Sequence, residues 1–195
     1  MENGQKIDII IMQLVRLFEG GKEVRMSKRT GIYVTIDELI DEVGLDAARF
    51  FFLTKSPGSH LNFDLDLAKK QSAKNPVYYI QYAYARICSL FEKAGRGKRQ
   101  TDKLELLKHP SELNLIKQLT RLPEIVEDTA KDYQVQRLPQ YAVELAVSFH
   151  RFYEDCRIIS KDKDLTEARL SLVSAGRVVL KNTFDLMGIA APERM

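Results

Sequence analysis

The sequence predicts a mainly α fold: an antiparallel helical bundle preceded by a short β-hairpin and a basic loop. Three observations carry that expectation. From Thr35 onward, apolar residues recur at the three- and four-residue spacing of helix faces. Helix punctuation accompanies them, with Thr35 and Asn75 placed to cap and Gly44, Gly95 and Gly188 placed to stop. Ahead of Thr35 there is one hairpin signal, Glu19-Gly20-Gly21-Lys22, closing an Ile-, Val- and Leu-rich run over residues 6–18.

The elements follow in order. A second short strand, Glu23 to Met26, feeds the basic loop Arg25-Met26-Ser27-Lys28-Arg29-Thr30-Gly31. A lone hairpin is marginal in water, and Ile7, Ile9, Ile10 and Ile11 want a sheet or core that the remaining sequence does not obviously supply. Thr35 and Glu38 form a capping-box pattern for a helix whose stripe is Ile36, Leu39, Ile40 and Val43, ending at Gly44. A second short helix runs from about Asp46 to Leu53 and is broken by Ser56-Pro57-Gly58-Ser59. Asp64-Leu65-Asp66-Leu67 leads into a third, with both carboxylates read as capping and dipole residues. Asn75-Pro76 opens the clearest helix, which runs to about Ala94. Gly95 to Lys103 is a polar, basic connector. Ser111 to Lys131 is helical, with Pro123 bending or splitting it. Gln134 to about Ser160 forms a long helix with the stripe Leu138, Tyr141, Ala142, Leu145, Phe149, Phe152, Cys156 and Ile159. Leu165 to Met187 is the last.

Composition narrows the function classes. A 45% hydrophobic content in 195 residues permits a proper core. A formal charge of +3 is too small to argue for nucleic acid by itself, so its distribution must decide. Cys88 and Cys156 are far apart in sequence, which fits a reducing, cytoplasmic setting. The apolar run Ile9 to Met12 is too short to span a membrane. His60, His109 and His150 show no metal-ligand spacing, and neither a GxGxxG nor a P-loop glycine pattern occurs.

Two groups of residues point to RNA and phosphate chemistry. On the helix after Asn75, Val77, Ile80, Tyr84, Ile87 and Phe91 fall on one apolar stripe, while Tyr78, Tyr79, Tyr82 and Arg86 fall on the other side. Tyrosine and arginine stack on and hydrogen-bond unpaired bases, at about 1–3 kcal/mol per stacked base. Packing of Tyr78 or Tyr79 under a neighbouring helix is the equally open structural alternative. In the basic loop, Lys28 with Arg25 and Arg29 suits a polyphosphate, each charge-assisted bond contributing about 1.5–3 kcal/mol; taken alone, the loop also fits a solvated turn. Tyr153 sits at the edge of its helix's stripe, where a buried tyrosine with a satisfied hydroxyl is the competing reading.

The pieces also resemble a known family in their order. Met26-Ser27-Lys28-Arg29-Thr30-Gly31 is followed by Asp46-Ala47-Ala48-Arg49, then Asn62-Phe63-Asp64-Leu65-Asp66-Leu67, then Asn75-Pro76-Val77-Tyr78-Tyr79-Ile80-Gln81-Tyr82-Ala83-Tyr84-Ala85-Arg86, and the chain closes with Ala191-Pro192-Glu193-Arg194-Met195. The run resembles the C-terminal part of arginyl-tRNA synthetase, a class I synthetase whose DALR anticodon-binding domain is a helical bundle. The resemblance divides the chain into residues 1–34, the end of the catalytic domain with a KMSKS-like loop; 35–74, connecting short helices; and 75–195, the anticodon-binding bundle.

What the resemblance implies is specific. The full-length enzyme joins arginine to tRNA(Arg) through an adenylate, using ATP and Mg. The present chain has no HIGH sequence, so it is expected to bind tRNA without catalysing, with no cofactor of its own. Lys28 matches the second lysine of KMSKS, which stabilises the transferring phosphates, with Arg25, Ser27 and Arg29 beside it. Arg25 replaces a lysine and Arg29 a serine; the first keeps the charge in a planar form and the second adds one. For the anticodon stem-loop, Tyr82 and Arg86 are the best-matched residues, with Tyr78 and Tyr79 on the same face and Tyr153 and Met195 as further contacts. Residues 1–34 are expected to offer an edge for non-native self-association. A stand-alone helical interaction protein derived from such a domain is an alternative, as is a cysteinyl or methionyl enzyme of the same subclass; the Asn75–Arg86 run argues against the latter.

Overall fold

The computed structural model describes residues 7–24, 34–95, 101 and 103–195. The basic loop with Arg25, Ser27, Lys28 and Arg29 lies outside the described residues, as does most of the Gly95–Lys103 connector.

The hairpin forms where the glycines demand it. Strand β1 (Val15–Glu19) turns back through Gly20 and Gly21, both at positive φ (57° and 73°), into β2 (Lys22–Glu23). A two-residue turn with both central residues left-handed matches the twist of paired strands. The strands are shorter than the sequence suggested, because residues 7–14 form no strand and leave Ile7, Ile9 and Ile11 more than 80% exposed. The hairpin is not without a sheet, however. A strand that the sequence reading overlooked, β3 (Leu61–Asp64), pairs with β1 in parallel, from Val15↔Leu61 to Phe18↔Asp64, giving the order β2-β1-β3. Its alternation is that of a half-buried strand: Leu61 and Phe63 are buried, Asn62 and Asp64 exposed.

The connecting helices follow their caps. Helix α1 (Ile36–Val43) starts at the complete Thr35/Glu38 capping box and stops at Gly44, φ 83°. Of its expected stripe only Leu39 is buried, and Ile36 is exposed. Helix α2 (Leu45–Leu53) turns Phe50 and Phe51 inward. Helix α3 (Leu65–Ala68) is capped by Asp64, whose carboxylate accepts the Leu67 N–H at 2.9 Å. Asp66 instead accepts the Gly20 N–H at 2.6 Å, pinning the hairpin turn.

The bundle is built around α4 (Pro76–Ala94), which packs against both α7 (Arg137–Asp155) and α8 (Lys163–Met187). Asn75 caps α4 by accepting the Val77 N–H, and Pro76 occupies the first turn. The helical run around Pro123 is split into α5 (Pro110–Thr120) and α6 (Leu122–Asp132), since proline has no N–H to continue a helix. Helix α7 is shorter than expected at both ends, and Ile159 lies beyond it, exposed. Ile80, Ile87, Leu115, Phe149, Phe152 and Phe184 fill the centre of the core. Among the described residues one carboxylate is buried there, Glu112; it accepts from Arg169 at 2.7 Å and from the His109 N–H at 2.8 Å, so its charge is paired and hydrogen-bonded. Cys88 and Cys156 are free and buried, and burial pushes both thiols up.

Candidate nucleic-acid interface

Helical spacing of four residues puts Tyr78, Tyr82 and Arg86 in a row along α4. The first two rings lie nearly parallel, 7° apart with centroids at 6.3 Å. Arg86 continues the row: its guanidinium carbon sits 4.9 Å from the Tyr82 ring centroid, and Nη2 donates to the Tyr82 hydroxyl at 3.0 Å. From α7, the Tyr153 ring approaches as well, its centroid 4.4 Å from the same guanidinium carbon. Aromatic faces attract a cation through their quadrupole without neutralising it. No carboxylate forms an ion pair with Arg86 among the described residues, so the charge is held in place but not cancelled.

Tyr82 is 37% exposed, Tyr78, Arg86 and Tyr153 are half-buried, and Met195 is exposed. Tyr82, Arg86, Tyr153, Arg194 and Met195 line a groove of about 460 Å³, which also carries Lys93 and one carboxylate, Glu92. Around the edge of Met195 a broader groove of about 730 Å³ continues past Tyr78, Gln81, Lys69 and Lys70. The two grooves meet at Met195, with cationic side chains and tyrosine rings in the lining of each.

The structure brings Tyr78, Tyr82, Arg86, Tyr153 and Met195 together. Tyr79 departs from the outward face assigned to it. It packs against the core, its ring 4.8 Å from that of His150, and burial raises the pKa of its phenol. At 3.6 residues per turn, Tyr79 lies about 100° round the helix from Tyr78, and that step turns its ring toward α7. Lys28, Arg25, Ser27 and Arg29 lie outside the described residues.

Sequence reasoning missed His150. It is buried on α7 beneath the site, with its ring 5.9 Å from that of Tyr82 and Nδ1 3.4 Å from Nη1 of Arg86. Arg86 can only donate, so as a hydrogen bond this contact needs an unprotonated Nδ1, while Nε2 is buried with no hydrogen-bond partner among the described residues. Burial, and then the Arg86 charge, hold the imidazole pKa below its usual value. His150 therefore supports Arg86 from below as a neutral base. The available signal was its position three residues before Tyr153, on the same side of α7.

The fold and the surface now define a class. The chain belongs to the DALR anticodon binding domain family, whose profile matches residues 80–195. At the level of single proteins, it is 51% identical to the arginine–tRNA ligase of Heliobacterium modesticaldum over 200 residues, covering 98% of this chain and 36% of that protein. It is likewise 51% identical to the arginine–tRNA ligase of Moorella thermoacetica over 196 residues, covering 98% of this chain and 35% of that one. Thus the chain spans about a third of the length of these relatives. Among solved structures, a putative arginyl-tRNA synthetase from Campylobacter jejuni superposes with a TM-score of 0.82 at 32% identity, covering 94% of this chain and 40% of that one. The Thermus thermophilus arginyl-tRNA synthetase superposes at 0.74 with 26% identity, covering 92% and 34%.

Proposed function

We propose that this chain is the tRNA(Arg) anticodon-binding part of an arginine–tRNA ligase, an enzyme that attaches arginine to tRNA(Arg) using ATP. The observation that carries the reading is the Arg86 cation, which has no ion-pair partner among the described residues, held against the Tyr82 and Tyr153 rings in the lining of a groove. Unpaired bases offer a π-face to such rings and acceptors to such a guanidinium, and phosphates flank them. The family match and the arginine–tRNA ligase relatives support the same reading.

In this reading residues 75–195 bind the anticodon stem-loop, residues 35–74 connect, and residues 1–34 belong to the catalytic domain. Lys28, with Arg25, Ser27 and Arg29, serves the phosphates of ATP and its Mg in the complete enzyme, in the cytoplasm. The 195 residues alone bind RNA without catalysing arginine activation and take no cofactor. The exposed Ile7, Ile9 and Ile11 support non-native self-association through the first 34 residues.

Binding of this chain to a synthetic tRNA(Arg) anticodon stem-loop tests the proposal. Affinity is expected to fall as salt rises, through release of counterions from the phosphates. Arg86→Ala and Tyr82→Ala are each expected to weaken binding by about 1–3 kcal/mol while the melting temperature stays put. Unchanged affinity in both variants would overturn the assignment.

A further inference from the structure

Helix α2 and helix α4 share a set of contacts that stacking on bases does not use. Asp46 and Arg49 stand three residues apart, on one side of α2, with the small buried Ala47 and Ala48 between them. Both reach the segment that follows α8. One oxygen of Asp46, Oδ1, accepts the Ala190 N–H at 3.0 Å. The other, Oδ2, accepts from Gln81 Nε2 at 2.8 Å, and the same Gln81 nitrogen donates to the Ala190 carbonyl at 3.0 Å. Both backbone groups of Ala190 are thereby held by side chains. Two residues earlier, Arg49 Nη1 donates to the Gly188 carbonyl at 3.1 Å.

Gly188 is fitted to this contact twice over. It ends α8 in the left-handed region, φ 67°, where a side chain is strained. A Cβ there would lie 1.9 Å from Nη1 of Arg49, so the guanidinium fills the space that the missing side chain leaves. Beyond Ile189, which is buried, the segment continues over the surface with two exposed ion pairs, Glu193 to Arg177 at 2.9 Å and Arg194 to Glu92 at 2.8 Å. Exposed pairs contribute little against water and salt. The segment ends on Met195, which borders both grooves, beside Gln81 and Tyr78 in one and Tyr82, Arg86 and Tyr153 in the other.

We propose that Asp46, Arg49 and Gln81 are positioning residues: they clasp Gly188 and Ala190 and so place Met195 at the edge of the RNA-reading groove. The RNA half of this inference rests on the function proposed above; the clasp itself does not. Gln81 is the pivot, since it sits one residue before Tyr82 on the helix that carries the ring row. A loosened clasp leaves the rings and Arg86 where they are and removes one wall of the groove.

The test pairs amide hydrogen exchange with stem-loop binding, using the whole 195-residue chain and the variants Asp46→Ala, Arg49→Ala and Asp46→Asn. In the two alanine variants the Ala190 amide is expected to exchange about tenfold faster or more, while the amides of Ile87 and Leu145 stay slow. Affinity for the tRNA(Arg) stem-loop is expected to fall about tenfold. Asp46→Asn keeps an acceptor for the Ala190 N–H but turns an amide donor toward that of Gln81, so it should restore both only in part. Undiminished protection of Ala190 in Asp46→Ala overturns the clasp. Faster exchange of the core amides as well also overturns it, since the contacts would then serve the bundle as a whole. Faster exchange of Ala190 with unchanged affinity removes its role in placing Met195. A parent chain that binds no stem-loop defeats the RNA reading, and the exchange arm then decides the clasp alone.

Discussion

The two faces of α4 belong to one helix of 19 residues and follow different rules. On the inner face Ile80 and Ile87 have no exposed surface, and what matters there is volume filled without a gap. On the outer face Tyr82 is exposed and Tyr78 and Arg86 are half-buried, and what matters is the angle and spacing of rings and donors. The inner face answers to packing, the outer to recognition. Substitutions on the two should therefore move different observables.

The strongest separation comes from the inner face. Ile87→Ala is expected to cost about 2–5 kcal/mol of stability by opening a cavity between α4 and α8, seen as a lower denaturant midpoint at unchanged slope. A cost under about 1 kcal/mol would mean that the inner face is not the packing seam described here. On the outer face, Arg86→Lys keeps the charge and loses the planar fork held against two rings. Stability is expected to stay within about 0.5 kcal/mol, and RNA affinity to drop by about 0.5–1 kcal/mol. Should stability fall as far as in Ile87→Ala, the outer face would be structural after all.

A third prediction tests the boundary between the faces, where His150 lies. Its pKa is depressed in the folded chain, so its neutral form contributes stability above the ordinary histidine value of about 6.5. That contribution is lost as pH falls through the lower folded value, because the proton then favours the unfolded chain. The groups facing it are Arg86 from α4, which opposes protonation, and the Tyr79 backbone and then Glu154 on α7, which favour it, with the Tyr79 and Tyr82 rings alongside. Denaturation midpoints measured below pH 6.5 should decline less steeply in His150→Phe than in the parent. Identical slopes would show that Arg86 is not supported by a neutral imidazole.

Much of the fold was legible because its signals are local. Thr35 with Glu38, Asn75 with Pro76, and Pro123 each act within a turn of helix, and each appears where the sequence puts it. Strand β3 was not legible, since four residues of Leu-Asn-Phe-Asp gain their meaning only from β1, 46 positions earlier, and parallel pairing leaves no turn signal to announce it. The stripe of α1 over-predicted burial because a helix on the rim has a face partly open to water, so Ile36 is exposed. In the site, the four-residue spacing of Tyr78, Tyr82 and Arg86 was visible, whereas Tyr79 was drawn inward by α7, a neighbour no helical wheel contains. His150 and the Ala190 backbone were invisible for the same reason: their partners are more than 60 residues away in the chain.

Both native cysteines are interior and unpaired, on α4 and at the end of α7, with thiols shifted away from their reactive form. A folded molecule should accordingly ignore a thiol reagent, and each alkylation event becomes a stopwatch for the opening of the helices that shield it. Because one sulfur sits on the helix bearing the ring row and the other at the foot of its partner, a single labelling time course would reveal whether these two helices come apart together or one at a time.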